Sequence, residues 1–429
     1  MLQEDDACDG DCQRTRRQAQ DGVVVSSPAT EPTPGMHVLR LCSVYESEAT
    51  QLDEAAARFD PIGGMQNHTA SLSRRLDALG VRQTILTARL AGPREVSRLG
   101  RNGTVRRVGV QTIRLRQLWG LCALPHLLAV HPVDLVHAHQ GEDVATLLLG
   151  LLARRVHRSP LVVTLHCSVR HTITGRSPRS LFLRVVGGAV ERAAVRRAEA
   201  VVVLVPRTAR LLRADGIADD RIHVLPSGFE PALFSRRHPD AFPELPRPRI
   251  GYVGRLAEQK RPDLLVQAFG RMRAMAQLVV VGDGPLRPGV VAAVARSDAR
   301  DRITLSGFVP HTDVPGVLAS LDVLALPSVY EEMGSVLVEA MASGLSVVAS
   351  RVGGIPDVVV DGETGVLVPP GDVDALAAAL DTLVADPERR QQMCLNARER
   401  AVRYSWPELG NRVLVLYEQV TGTTERHLR

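Results

Sequence analysis

From Met36 onward, short runs of aliphatic and β-branched residues alternate with stretches whose apolar positions recur every three to four residues. His37–Val44, Gln83–Thr87, Leu135–His139, Leu161–Leu165, Ala200–Val205 and His223–Leu225 read as strands. Ala70, Leu72, Leu76 and Leu79, and the long segment Leu181–Ala198, carry the helical period between them. The pattern breaks at Asp240–Pro248, where three prolines mark a linker. It then restarts, with strands predicted at Arg249–Val253, Gln277–Val281, Ile303–Ser306, Val323–Leu326, Ser346–Ala349 and Gly365–Val368. Helices are predicted at Pro262–Phe269, Val314–Ala319, Ser335–Ala342, Val373–Ala385 and Pro387–Arg403. Strand–helix alternation with connections of this length predicts parallel sheets covered by helices. The expected architecture is α/β: two Rossmann-like, doubly wound domains, 36–239 and 249–404, facing a cleft. A final helix, 405–420, crosses back to tie the halves, and 421–429 is a short tail. Ligands of such sheets sit at the carboxyl ends of the strands, so both halves present loops to the cleft.

Composition narrows the function classes. Residues 1–35 mix charge, Ser, Thr and Pro without periodicity and read as a disordered tail. Their Asp9-Gly10-Asp11 has the form of an Asp-x-Asp metal motif in a setting that gives it no fixed geometry. The longest uncharged, mostly apolar run, Leu118–Val130, is interrupted by Pro125 and His126 and falls short of the roughly 18 residues of a membrane span. Without a basic-then-apolar leader at its start, the chain reads as soluble and cytoplasmic. Aromatics are 3% of residues, against stacking on single-stranded nucleic acid, and a net charge of +5 is too weak to imply nucleic acid. The basic excess concentrates in Arg154–Arg213, with thirteen arginines against Glu191 and Glu199. That run reads either as a solvated helix face or as a patch for anionic lipid or a phosphorylated substrate. No two of the six cysteines form a Cys-x2-Cys pair, so neither a zinc site nor a disulfide framework is expected.

The chemistry gathers in glycine-bearing loops after strands. Pro327-Ser328-Val329-Tyr330-Glu331-Glu332-Met333-Gly334 leads from a strand into a helix starting near Ser335. A helix start behind a glycine offers free N–H groups and partial positive charge, suited to a diphosphate. Glu339 projects from the first turns of that helix, where it can accept from vicinal ribose hydroxyls, and Glu331 lies nearer the expected sugar. Gly254-Arg255 and Lys260 follow the first strand of the second half and set two cations at the cleft mouth. Phe308-Val309-Pro310, after another strand, is placed to meet a flat base. In the first half, Gly63-Gly64-Met65-Gln66-Asn67-His68 opens a helix without a G-x-G-x-x-G fingerprint, which argues against a dinucleotide enzyme. His137, His139 and His166 cluster at strand ends, either lining the cleft or serving as structural histidines. Asp372 and Asp374 form a second Asp-x-Asp, but Asp372 stands at a helix N-cap position. No G-x-S-x-G elbow or Walker lysine is present.

Taken together, these residues resemble the retaining glycosyltransferases of family 4, which have the GT-B fold of two Rossmann-like domains. The resemblance runs from about 36 to 420 and rests on Glu331-x7-Glu339, Gly254-Arg255 with Lys260, Gly63-Gly64, Gly353-Gly354-Ile355-Pro356-Asp357, and Asp361-Gly362-Glu363-Thr364-Gly365. It implies that Arg255 and Lys260 hold the donor diphosphate with the amides of Gly334, Ser335 and Val336. Glu339 then binds the ribose and Glu331 the transferred sugar, with Gly63, Gly64, Gly254, Val309 and Met333 around the donor. His139 matches the cleft histidine near the reacting centre, while Gln66, His68 and His166 face the acceptor. No metal or cofactor is implied beyond the substrate, a nucleotide sugar. Two positions depart from the pattern: Arg261 replaces the usual glycine after the lysine, and Pro226-Ser227-Gly228-Phe229-Glu230 replaces the usual hinge sequence.

More narrowly, Gly64–His68, Leu72–Leu76, Gly80–Thr84, Thr164–Ser168 and Ser328–Gly334 are similar to transferases of aminoglycoside antibiotic biosynthesis. That similarity implies N-acetylglucosamine from UDP as donor and an aminocyclitol such as 2-deoxystreptamine as acceptor. Glu46, Glu48, Asp53, Glu54 and Asp60 are available for a polycationic acceptor. Inositol phosphate or a membrane glycolipid as acceptor, and nucleotide-sugar binding or hydrolysis without transfer, remain open.

Overall fold

The computed structural model describes residues 35–46, 64–89, 96–109, 118–141, 143–172, 181 and 183–422. Asp9 and Asp11 of the tail, Gly63, and Glu48, Asp53, Glu54 and Asp60 lie outside the described residues.

Two sheets organise the chain. The first contains β1 (His37–Cys42), β2 (Arg82–Ala88), β3 (Val96–Leu99), β4 (Gly103–Val108), β5 (Leu135–Gln140), β6 (Leu161–Leu165), β7 (Ala200–Val203) and β8 (Ile222–Val224). Its eight strands run in the order β3-β4-β2-β1-β5-β6-β7-β8. The second holds β9 (Arg249–Val253), β10 (Gln277–Val281), β11 (Ile303–Gly307), β12 (Val323–Leu326), β13 (Ser346–Ser350) and β14 (Gly365–Val368). Its order is β11-β10-β9-β12-β13-β14. Every pairing is parallel except β3 with β4, a hairpin that the sequence reading does not anticipate. Helices cover both faces, so most strands are buried throughout and read as unbroken apolar runs.

Strand order reverses beside the first strand of each sheet. β1 pairs with β2 on one side and β5 on the other, and β9 with β10 and β12. At such a reversal, successive crossovers leave in opposite directions and open a crevice at the carboxyl ends. The opening is visible in the register, since β9 and β12 pair only through Ile250–Val323 and Gly251–Leu324 before diverging. The loops after β9 and β12 therefore flank a gap that the sheet itself creates.

The helix Trp406–Thr421 returns to the first sheet. Trp406, Leu409, Val413, Leu414, Leu416 and Tyr417 share a buried cluster with Val38, Leu135, Val162 and Val202 of its strands. Ser405 caps this helix, Phe229 pairs with Tyr404 and Trp406 through main-chain bonds at 3.0 Å, and Arg75 reaches Asn411 at 2.9 Å. Asp372 accepts from the amide of Ala375 at 2.9 Å and Asp374 meets Arg271 at 2.6 Å, so that Asp-x-Asp is spent on capping and a surface pair. Within the arginine-rich run, Arg154 pairs with Glu199, Arg170 with Asp215 and Arg213 with Asp219. Among the described residues no helix is long and apolar enough to cross a membrane.

Candidate active site

The second sheet's gap is lined by charge. Gly254 follows β9, and the buried Tyr252 hydroxyl donates to the Arg255 carbonyl at 2.7 Å, fixing the turn that carries Arg255. Lys260 closes a short 3-10 turn whose Gln259 carbonyl accepts from the amides of Val329 (2.8 Å) and Tyr330 (3.3 Å). The loops after β9 and β12 are thus laced together, which brings the Lys260 ammonium onto the Glu331 carboxylate. Ser328 donates to the same Glu331 oxygen at 3.0 Å. Both charged side chains are largely shielded, at 18% and 11% exposure, which strengthens their attraction over a surface pair.

Arg261 explains one departure from the family pattern. Its backbone is left-handed, at φ 45° and ψ 51°, where glycine is the easy residue. The guanidinium holds Asp263 at 2.8 Å and offsets part of that strain.

The helix after β12 spans Ser335–Ser343 and starts at Gly334, left-handed at φ 76° and without a capping side chain. Its first amides are left for another acceptor. Glu339, 8% exposed, accepts from His311 at 2.9 Å. Burial pulls the His311 pKa down, but the hydrogen bond and charge of Glu339, with Glu46 beyond, hold it above 6.5 despite Arg74. A histidine raised in the fold stabilises it fully below its unfolded value, and that contribution fades as pH rises through the folded value. Wild type should therefore melt above His311→Gln near about pH 6 and approach it towards about pH 8.5. A melting-temperature gap that stays constant with pH would sink this assignment.

The first lobe approaches the same helix start. A Cβ on Gly64 would lie 2.9 Å from Ser335 Oγ, so the helix Gly64–Ala78 begins directly opposite Ser335–Ser343. Gln66 and His68 are buried on that helix, and neither Gln66 Nε2 nor His68 Nδ1 has a hydrogen-bond partner among the described residues. Buried polar atoms of this kind are available to pair with a bound group. Thr208 of the first lobe donates to Glu332, and the Ser227 amide meets Met333 Sδ at 3.2 Å, so the altered hinge still contacts the β12 loop. Val309 and Val336 pack their side chains against the second lobe's core, leaving their main chains as the groups that can face a ligand.

The resemblance sets His139 beside the reacting centre, and in this structure its ring is buried, at 0% exposure. Arg40 Nη2 lies 2.6 Å from its Nε2 and His166 Nε2 lies 3.2 Å from its Nδ1, so both ring nitrogens are taken. His137 lies tilted against His139, centroids 4.0 Å apart, and bonds Thr164 (2.7 Å) and Tyr417 (2.5 Å). His68 and His166, centroids 4.7 Å apart, complete the cluster, with Trp406 against His68 at 5.1 Å. Burial, then neighbouring histidines and Arg40, push the pKa of His139 well below 6.5, and burial with Arg40 brings His166 to about 3. Burial therefore favours the neutral form of these rings.

Comparison with known proteins fits this arrangement. Residues 62–233 match the family model described as Glycosyltransferase Family 4, and residues 237–400 match Glycosyl transferases group 1. The chain belongs to the family 4 glycosyltransferases. It is 35% identical, over 75% of its length and 90% of the relative's, to the 2-deoxystreptamine glucosyltransferase of Streptomyces kanamyceticus. It is 36% identical, over 83% and 90%, to the 2-deoxystreptamine N-acetyl-D-glucosaminyltransferase of Streptomyces fradiae. Among solved structures, the sucrose-phosphate synthase of Thermosynechococcus elongatus superposes with a TM-score of 0.76 at 25% identity, over 91% of this chain and 100% of that one. The fold is GT-B. As a family 4 glycosyltransferase, the chain brings Lys260, Glu331, Gly334, Ser335, Glu339 and Gly64 to one region and buries His139. The sequence reading misses His311 and Arg40, since each acquires its partner only through the fold.

Proposed function

We propose that this glycosyltransferase is a retaining, metal-independent enzyme that moves N-acetylglucosamine from UDP to a hydroxyl of an aminocyclitol such as 2-deoxystreptamine. The observation that carries the reading is the Lys260–Glu331 pair beside a glycine-started helix bearing Glu339, faced by Gly64 of the other lobe. In this reading residues 249–404 hold the donor and 36–239 the acceptor. Arg255, Lys260 and the amides of Gly334, Ser335 and Val336 stabilise charge growing on the departing diphosphate. Glu339 accepts from the ribose hydroxyls, Glu331 from the transferred sugar, and Gln66, His68 and His166 face the acceptor.

The acceptor hydroxyl attacks from the face the diphosphate leaves, which preserves the anomeric configuration without a protein nucleophile. Two lysine and arginine cations and helix amides meet the phosphate charge directly. The described Asp-x-Asp residues are already committed to capping and to Arg271. Support for the acceptor comes from the two Streptomyces relatives, whose names share it. They differ in the sugar, and the N-acetylglucosaminyl relative matches the larger share of this chain.

A grid of UDP-N-acetylglucosamine and UDP-glucose against 2-deoxystreptamine and inositol phosphate, read by mass spectrometry, tests the assignment. The expected result is a 2-deoxystreptamine product whose anomeric coupling matches the donor's and whose yield survives a chelator. Inositol phosphate as sole acceptor, or UDP release without any product, would overturn it.

A further inference from the structure

We propose that Arg40 is a positioning residue: from beneath the acceptor side it fixes one hydrogen-bond direction through His139 to His166 and so keeps the three-histidine cluster from binding metal or serving as a base. The proposal rests on the reading of this face as the acceptor side. A guanidinium has only donors, so at 2.6 Å the His139 Nε2 must accept. A neutral imidazole carries one proton, which is then on Nδ1 and is donated to His166 Nε2 at 3.2 Å. His166 in turn holds its own proton on Nδ1. Arg40 is itself clamped by neutral groups: Ser73, the Gln83 side-chain oxygen at 3.3 Å and the Thr69 carbonyl at 3.4 Å. The lone pairs of both facing nitrogens are consumed in this chain.

That direction decides what the cluster can do. Among the described residues, His68, His139 and His166 place ligand atoms within 4.8 Å of one another. The 3.2 Å gap between His139 and His166 is close to the roughly 3.3 Å edge of a tetrahedral zinc site. To bind through Nδ1, however, His139 would have to carry its proton on Nε2, donor against donor with Arg40, and seat a second cation in a dry interior. The arginine, not the spacing, closes the site. The same contact denies His139 a lone pair for proton abstraction, and the lowered pKa values of His139 and His166 agree.

Nitrogen-15 spectra of the histidines in the full chain test this directly, with His139→Gln and His166→Gln used for assignment. The expected signature is a protonated Nδ1 and an acceptor Nε2 on both rings at neutral pH. A protonated Nε2 on His139, or a charged ring, overturns the proposal. Zinc titration gives an independent reading. Wild type should bind no zinc at the cluster, whereas Arg40→Met should bind one equivalent at least 10-fold more tightly, lost again when His166→Gln is added. Zinc bound equally by wild type and Arg40→Met, or by neither, overturns it. Should Arg40→Met fail to fold, the wild-type spectra still decide. None of these readouts requires turnover, so their failure is separate from failure of the transferase reading.

Discussion

Lys260→Ala is expected to lower kcat/KM by on the order of 10²- to 10³-fold while leaving the fold intact, the scale of losing one charge-stabilising donor in a water-poor site. The lysine projects from a short turn and contributes little to the core, but its ammonium meets the Glu331 carboxylate where two loops are laced together. In the proposed mechanism removing it takes a cation from the departing phosphate, and it leaves a shielded carboxylate with Ser328 as its neighbour. Lys260→Arg should recover part of the rate, because charge is kept and placement altered. Steady-state UDP release with product detection, alongside circular dichroism, measures both halves of the claim. A folded Lys260→Ala within threefold of wild type would remove this lysine from the mechanism.

The second large effect is expected from Gly353→Ala. Gly353 is left-handed at φ 54°, and a Cβ there would sit 1.6 Å from the Glu331 carbonyl oxygen, an impossible overlap with main chain. The adjacent Gly354 amide donates to that same oxygen at 3.2 Å. The methyl can be accommodated only by moving the segment that carries Glu331 and Glu332, away from both Lys260 and Thr208. A stability loss of about 1–3 kcal/mol should follow from overpacking. The activity loss should be larger than melting alone explains, on the order of 10²-fold, because the proposed function sets the displaced Glu331 against the donor. Thermal melts and kinetics on one preparation separate the two losses. Unchanged activity would show that the Glu331 segment tolerates displacement.

The strands were legible where physics writes them plainly. β6, β9, β10, β12 and β14 coincide with predicted runs, because strands buried on both faces must be continuously apolar between turn residues. β3 was not, since Val96-Ser97-Arg98-Leu99 is short, half exposed and carries two adjacent polar residues where a strand would alternate. Glu331, Lys260 and Glu339 were readable because each follows a strand or opens a helix at a defined offset. His311 and Arg40 carry no such signature. One lies alone in a loop, the other sits mid-strand among aliphatics, and only the packing of β1 against β5 and of the β11 loop beside Glu339 reveals their partners. His139 shows the reverse case, a histidine at a strand end whose surroundings bury it.

The returning helix Trp406–Thr421 sets an order on biogenesis. Trp406 lies against His68, and Tyr417 closes the hydrogen bond of His137, so the first sheet waits for a helix made much later. During translation the amino-terminal half would emerge with an apolar floor still open until Trp406–Thr421 is made and docks. Nascent chains halted before Trp406 should consequently be more protease-sensitive in the first lobe than in the second, whose core is separate.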